Sequence, residues 1–159
     1  MRHTGVLLTV YPPLGILSIA AVLRYNRLEV AIIDADIDNK SFLDIENYIR
    51  KYQPTVIGIT MTTLQCKAVF NLAEYIKRLF PGIAIIVGGV HPSALKVEIL
   101  RQCPYIDIVV VGEGEQTFFD LVTVLENKGS LDSVDGICYR ENEKCFTTRP
   151  RDRKCAEEL

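Results

Sequence analysis

The chain has 159 residues, is 48% hydrophobic and 24% charged, and carries a formal net charge of -2 at pH 7. That size and apolar content suit one domain with a full core, which excludes a disordered or collagen-like polypeptide. With 18 Lys and Arg against 20 Asp and Glu there is no overall field for gripping nucleic acid, so no nucleic-acid partner is expected.

Residues 4–23 hold no charge and follow Arg2, which imitates a signal peptide or a membrane span. Pro12 and Pro13 interrupt that stretch, and a proline pair would cost a continuous helix several kcal/mol (roughly 3 or more per proline). It therefore divides into a strand over 5–10, a turn, and a helix over 14–25, with no membrane span expected. Beyond it, apolar runs rich in Val and Ile predict strands over 29–34, 56–61, 83–88 and 106–111. Amphipathic stretches between them predict helices over 41–51, 64–80, 93–102 and 117–128, with Ser41 and Thr117 as N-caps. Pro54, Pro81 and Pro104 each follow a helix and precede a strand, the punctuation of a βα repeat.

The strands are apolar on nearly every residue, as in Val109, Val110 and Val111, so both faces must be covered. The expected fold class is α/β, a flavodoxin-like doubly wound parallel sheet in the order 2-1-3-4-5. After Lys128 the rhythm changes, and 136–140 with 144–148 predict a short C-terminal β-hairpin. The expected organisation is an α/β domain over 1–130, a hairpin extension over 131–148, and a charged linker or disordered tail over 149–159. The five cysteines, Cys66, Cys103, Cys138, Cys145 and Cys155, are odd in number and contain no C-x-x-C pair. They read as reduced thiols of a cytoplasmic protein, with no metal ligand among them.

In such folds ligands bind beyond the carboxyl ends of the strands. The residues there are Tyr11, Pro12, Pro13, Leu14 and Gly15 after the first strand, Asp34, Ala35 and Asp36 after the second, and Thr60, Met61, Thr62, Thr63 and Leu64 after the third. The fourth strand delivers Gly88, Gly89, Val90, His91 and Pro92, and the fifth Gly112, Glu113, Gly114 and Glu115. A dinucleotide site needs G-x-G-x-x-G in the first βα turn, which is proline-rich here, and Gly112-x-Gly114 carries glutamates that oppose phosphate. A phosphoacceptor receiver would need carboxylates where Thr60 or Met61, and Val10 or Tyr11, stand. The run Asp34-x-Asp36-x-Asp38 begins like a calcium loop but has Asn39 for its glycine and Ile45 for its glutamate. His91 is open between a ligand-contacting and a capping role. What is left is a crevice of glycines and hydroxyls almost free of cations, suited to a large and mostly neutral cofactor.

Pro13-Leu14-Gly15-Ile16-Leu17-Ser18, then Ile33-Asp34-Ala35, Val56-Ile57-Gly58-Ile59-Thr60, Val87-Gly88-Gly89-Val90-His91-Pro92 and Val111-Gly112-Glu113-Gly114-Glu115 occur in order at the loop ends. In this the chain resembles the N-terminal cobalamin-binding domain of cobalamin-dependent radical SAM enzymes, the group of the anaerobic magnesium-protoporphyrin IX monomethyl ester oxidative cyclase and of radical SAM methyltransferases. The resemblance implies a cobalamin site at Tyr11, Pro12, Leu14, Gly15, Thr60, Met61, Thr62, Thr63, Leu64, Gly88, Gly89, Val90, His91, Gly112, Glu113, Gly114 and Glu115. Thr62-Thr63-Leu64 and Gly88-Gly89 would line the nucleotide tail.

Two departures qualify it. Cobalamin domains that supply a histidine to cobalt carry D-x-H-x-x-G; aligned on Gly15, that motif places Pro12 at the histidine and Val10 at the aspartate, and neither can ligate a metal. Radical SAM chemistry also needs C-x-x-x-C-x-x-C for its 4Fe-4S cluster and S-adenosylmethionine, and no such spacing exists here. The expectation is a module without catalytic residues of its own, partnered by a C-terminal radical SAM domain of the same polypeptide. A stand-alone carrier is the other possibility, and the linker-like tail favours the first. The alternative of another class is a flavodoxin-like regulatory or interaction domain that does not bind cobalamin.

Overall fold

The structure, a computed structural model, describes residues 13–35, 38 and 40–151. The expected strand over 5–10, with Tyr11, Pro12, Asp36 and the tail from 152 onward, lies outside the described residues. The described elements run α1 (Leu14–Tyr25), α2 (Phe42–Tyr52), β1 (Val56–Thr60), α3 (Cys66–Leu79), β2 (Ala84–Gly88), α4 (Val90–Leu95), α5 (Val97–Gln102), β3 (Ile108–Val110), α6 (Glu115–Glu126), a 3-10 turn (Leu131–Ser133), β4 (Ile137–Glu141) and β5 (Lys144–Thr147).

The sheet among these residues has the order β1-β2-β3-β4-β5. The first three strands, predicted as third, fourth and fifth, are parallel, with Thr60 beside Gly88 and Val87 beside Val109, so their carboxyl ends share one rim. The hairpin continues the same sheet: β4 runs antiparallel to β3 with Cys138 opposite Val109, and β5 folds back on β4. Residues 29–34, predicted as a strand, form none among the described residues.

Side chains alternate across the sheet as strand geometry requires. Ile85, Val87, Val109 and Cys138 face a layer built by Ile45 and Ile49 of α2, Val69, Ala73 and Ile76 of α3, and Ile99 and Leu100 of α5. Ile86, Ile108, Val110, Ile137 and Tyr139 face Leu121 of α6 and Val134. Each fully buried Ile or Val here contributes about 1.5–3 kcal/mol, so the covered central strands carry much of the fold. Gly58 lets α6 lie flat on β1, since a Cβ there would come within 2.8 Å of the Phe118 ring. The hairpin turns through Asn142 and Glu143, both at positive φ, in keeping with the primed turns that match strand twist.

Polar pins fix the layers. The Asp107 carboxylate accepts from Ile85 N–H at 2.7 Å and pairs with Lys77 Nζ at 2.8 Å, while that ammonium also donates to the Ile83 carbonyl at 2.7 Å, tying the end of α3 to β2. Ser41 caps α2 as predicted, in a reciprocal box with Asp44: Asp44 N–H donates to Ser41 Oγ at 3.2 Å and Ser41 N–H to Asp44 Oδ2 at 2.9 Å. Ser41 Oγ–H also donates to Asp44 Oδ2 at 2.6 Å, and this bond first, with the Ser41 N–H bond second, holds the Asp44 carboxyl below its usual range. Tyr75 OH donates to Glu46 Oε2 at 2.5 Å and joins α3 to α2; that bond first, and Arg50 second, lower Glu46.

Two helix predictions need correction. The single helix over 93–102 is two, α4 and α5, broken at Lys96, whose φ of 53° and ψ of -123° no lysine adopts without strain. Thr117 is not an N-cap: α6 begins at Glu115 behind Gly114, which makes no side-chain cap, and Thr117 is buried within the helix. Its hydroxyl accepts from Arg151, 34 residues on, a partner that no local pattern announces.

Two measurements follow. Lys96→Gly should raise stability by about 1 kcal/mol in urea unfolding, because glycine tolerates this conformation. Tyr139 donates to Asp132, and this bond, with burial second, pushes the phenol up to about 12. Since the folded value exceeds the unfolded one near 10, the stabilisation is complete below pH ~10 and is lost as the pH rises through about 12. In an ultraviolet titration Asp132→Asn should return Tyr139 toward the ordinary tyrosine value and narrow the alkaline range of stability.

Candidate functional site

Because β1, β2 and β3 are parallel, the segments following them meet at one rim. Met61 N–H donates to the Gly88 carbonyl at 2.8 Å, carrying the ladder one residue past β1. Its side chain is fully buried in the core, so of the predicted site residues Met61 presents no surface. Thr62 N–H and Oγ1 both donate to Gln65 Oε1, at 3.2 and 2.9 Å, closing the turn into α3. Thr63 Oγ1 and His91 Nδ1 are 3.1 Å apart, which joins the loops after β1 and β2. The loop after β3 is held to the same group, since Gly112 N–H donates to Ser93 Oγ at 3.0 Å.

The glycines divide into two kinds. Gly89 has a φ of 109°, and a Cβ there would stand 2.9 Å from the Met61 carbonyl oxygen and 3.1 Å from Thr60 Oγ1, so glycine is required by the backbone itself. Gly114 admits Ile19, whose Cδ1 would meet a Cβ at 2.9 Å, and so brings α1 against the start of α6. Gly88 stands in ordinary contact with Val110. Gly15 and Gly112 face open space, with nothing within 4 Å of a built Cβ. Backbone open to an approaching group is therefore at Gly15 and Gly112, and the sequence-based reason for Gly89, room for a ligand, gives way to a close approach between two loops.

Around these positions the rim is apolar and exposed: Leu64 is 97% accessible, Val90 74% and Leu14 72%. Glu113 is exposed and Glu115 opens α6, where a carboxylate suits the helix N-terminus. No Lys or Arg stands among the predicted rim residues in the sequence. A neutral, broad, partly apolar ligand fits that surface, and a polyphosphate does not. Among the described residues no group of three His, Cys, Asp or Glu is placed to hold a metal ion, and no helix is long and apolar enough to cross a membrane.

A family model described as a B12 binding domain matches residues 4–122. The chain belongs to the B12 binding domain family. It is 36% identical over 90% of its length to an uncharacterized methyltransferase of Pyrococcus horikoshii. It is 34% identical over 87% of its length to the anaerobic magnesium-protoporphyrin IX monomethyl ester cyclase of Synechocystis. It spans only 31% and 28% of those two relatives. Among solved structures it resembles the cobalamin-dependent S-adenosylmethionine radical enzyme OxsB, with aqua-cobalamin and S-adenosylmethionine bound. There the TM-score is 0.78 at 24% identity, over 89% of this chain and 20% of that one, a likeness of fold. The doubly covered α/β sheet is thus that of a B12-binding module, related to radical SAM methyltransferases and cyclases.

Several rim residues escape sequence reading. Ser93 and Ile19 make their contacts across loops and leave no local signal. Gln65 does have one, because Thr62-x-x-Gln65 matches the S/T-x-x-E/Q capping pattern, and Thr62 N–H indeed meets the glutamine side chain. The two kinds of glycine separate in a stability experiment. Gly89→Ala should destabilise the domain by about 1–3 kcal/mol, while Gly15→Ala in α1 should leave it unchanged or gain about 0.5–1 kcal/mol, both read by chemical denaturation.

Proposed function

We propose that this B12-binding domain holds cobalamin across the rim formed by Leu14, Gly15, Thr60, Thr62, Thr63, Leu64, Gly88, Gly89, Val90, His91 and Gly112 to Glu115, without a protein nitrogen below the cobalt. The observation that carries the reading is the exposed apolar surface of Leu14, Leu64 and Val90 beside the open backbone of Gly15 and Gly112. An uncovered surface of that kind on a single domain marks a binding site.

Each residue has a definable task. Leu14, Leu64 and Val90 exclude water from the ligand's underside. Thr62 and Thr63, already donating or bonded to Gln65 and His91, keep lone pairs free to accept from the amide groups that fringe a corrin. The Thr63 contact occupies His91 Nδ1 and orients the ring, which suits a hydrogen-bonding role for His91. The chain has two histidines, His3 and His91, and neither stands at the position before Gly15 that supplies a cobalt ligand in other cobalamin domains. Bound cobalamin would supply the reactive metal, as a methyl carrier or redox partner; the protein positions it.

The catalytic step belongs to a further domain of the same polypeptide, a radical SAM domain holding S-adenosylmethionine and a 4Fe-4S cluster. The names of the relatives, and the third or less of their length that this chain spans, support that arrangement and leave both methyl transfer and oxidative cyclisation as its chemistry. The cytoplasm is the expected compartment, consistent with free thiols at the four described cysteines.

Titration with hydroxocobalamin should shift the cofactor's visible spectrum and give co-elution on gel filtration; no retention at high micromolar cofactor would overturn the reading. Leu64→Asp, at a side chain with no packing role, should weaken retention about tenfold without lowering the melting temperature. With the bound cofactor reduced to cobalt(II), the electron paramagnetic resonance spectrum should lack nitrogen superhyperfine splitting. A nitrogen triplet would refute the proposed lower face.

A further inference from the structure

We propose that Arg151 is a positioning residue for the candidate site, gripping the first turns of α6 and thereby fixing the Gly112 to Glu115 loop; its bearing on cobalamin rests on the function proposed above. Arg151 lies 29 residues beyond the end of the family match at residue 122, outside the segment that the family model covers.

The chain is led to the rim by backbone bonds. After β5, Thr148 N–H donates to the Ile137 carbonyl at 3.0 Å, Gly136 N–H donates to the Arg149 carbonyl at 2.7 Å, and the Gly136 carbonyl accepts from Val111 N–H at 2.9 Å. Residues 149–151 thus leave β5 alongside Gly136, which itself pairs with Val111 just past β3. Arg151 then reaches two partners on α6: its Nε donates to Thr117 Oγ1 at 2.7 Å and its Nη2 to Asp120 Oδ2 at 2.5 Å. The second Asp120 oxygen accepts from Gln116 Nε2 at 2.7 Å.

Three features single this contact out from an ordinary surface ion pair. Thr117 is fully buried, and its hydroxyl, which also donates to the Asp135 carbonyl at 3.5 Å, takes its shorter bond, 2.7 Å, from Arg151. The guanidinium uses two separate nitrogens on two side chains one helical turn apart, a fork that a lysine cannot reproduce. Gly136, at a φ of 81°, keeps the space clear: a Cβ there would stand 3.3 Å from both Arg151 Cβ and Thr117 Oγ1.

The gripped turns begin at the site. Phe118 N–H donates to the Gly114 carbonyl at 2.7 Å, the first bond of α6, and Gly114 receives Ile19 of α1. A shift of Thr117 or Asp120 therefore moves the loop that Gly112 and Glu113 share with the rim.

Hydrogen exchange of the whole chain without cofactor, followed by mass spectrometry, tests the positioning directly. Arg151→Gln should speed exchange of the amides at 112–118 about tenfold while the β1 and β2 amides keep their wild-type rates. It should also weaken hydroxocobalamin binding about fivefold, with Arg151→Lys intermediate. Asp120→Asn, which removes one arm of the grip at its solvent side, should show the same local pattern at smaller amplitude and serves if Arg151→Gln does not fold. Unchanged exchange at 112–118, or equal acceleration throughout the sheet, would overturn the proposal, the latter by showing a purely global role. If wild-type protein failed to retain cobalamin while the local acceleration appeared, the positioning would stand and the cofactor reading would fall.

Discussion

The hydrogen bond from Met61 N–H to the Gly88 carbonyl governs the geometry of the whole rim. It extends the parallel ladder past the last residue of β1 and sets the backbone after β1 against the backbone after β2. Gly89 must then pass the Met61 carbonyl at a distance no side chain tolerates, and Thr63 comes within reach of His91. Ser93, one turn further along α4, is left where it can accept from Gly112. Three loops are thereby ordered by one register, and a slip of β1 against β2 would scatter them all. The buried side chain of Met61, packed among the apolar residues of α3 and the sheet, makes such a slip costly.

Much of this architecture is legible in the amino-acid sequence because it rests on short-range physics. Runs such as Ile83 to Val87 announce doubly covered strands, and Ser41 announces the start of α2. The order of apolar and glycine-bearing loop ends also points to the B12-binding family, whose model matches most of the chain. What escapes depends on residues far apart. Thr117 looks like a cap and is a buried acceptor because Arg151 arrives from the far side of the hairpin. The predicted helix over 93–102 breaks at Lys96, where Ile99 and Leu100 must be turned into the core while α4 stays at the rim. The role of each glycine is equally hidden, since only the fold decides whether the missing side chain leaves room for a neighbouring loop or for a ligand.

Charge and apolarity are separated on the surface in a way that bears on the site. The paired carboxylates and cations are placed between layers, as with Asp107 and Lys77, or along helices, as with Glu46 and Arg50. The rim has hydroxyls already engaged by neighbours and aliphatic side chains that face outward, and the charges among its predicted residues are the carboxylates of Glu113 and Glu115. In the proposed cobalamin site such pre-bonded hydroxyls would accept a ligand's amides without first losing water-exposed freedom, which lowers the cost of ordering the site. Exposed leucine and valine on a folded domain otherwise carry a liability toward association, offset only when something covers them.

The hairpin has a consequence for how this domain behaves beside other chains. A three-residue strand such as β3, left at the border of a sheet, would offer unpaired amides to any passing polypeptide; β4 and β5 move that border outward. The new border is only four residues long, bears Lys144 at its start, and has its one aromatic, Phe146, stacked on Tyr139 with ring centres 5.4 Å apart. A short, charged, ring-covered margin is a poor template for strand addition. Another polypeptide lying alongside this flank thus finds little to extend into a continuous cross-chain ribbon.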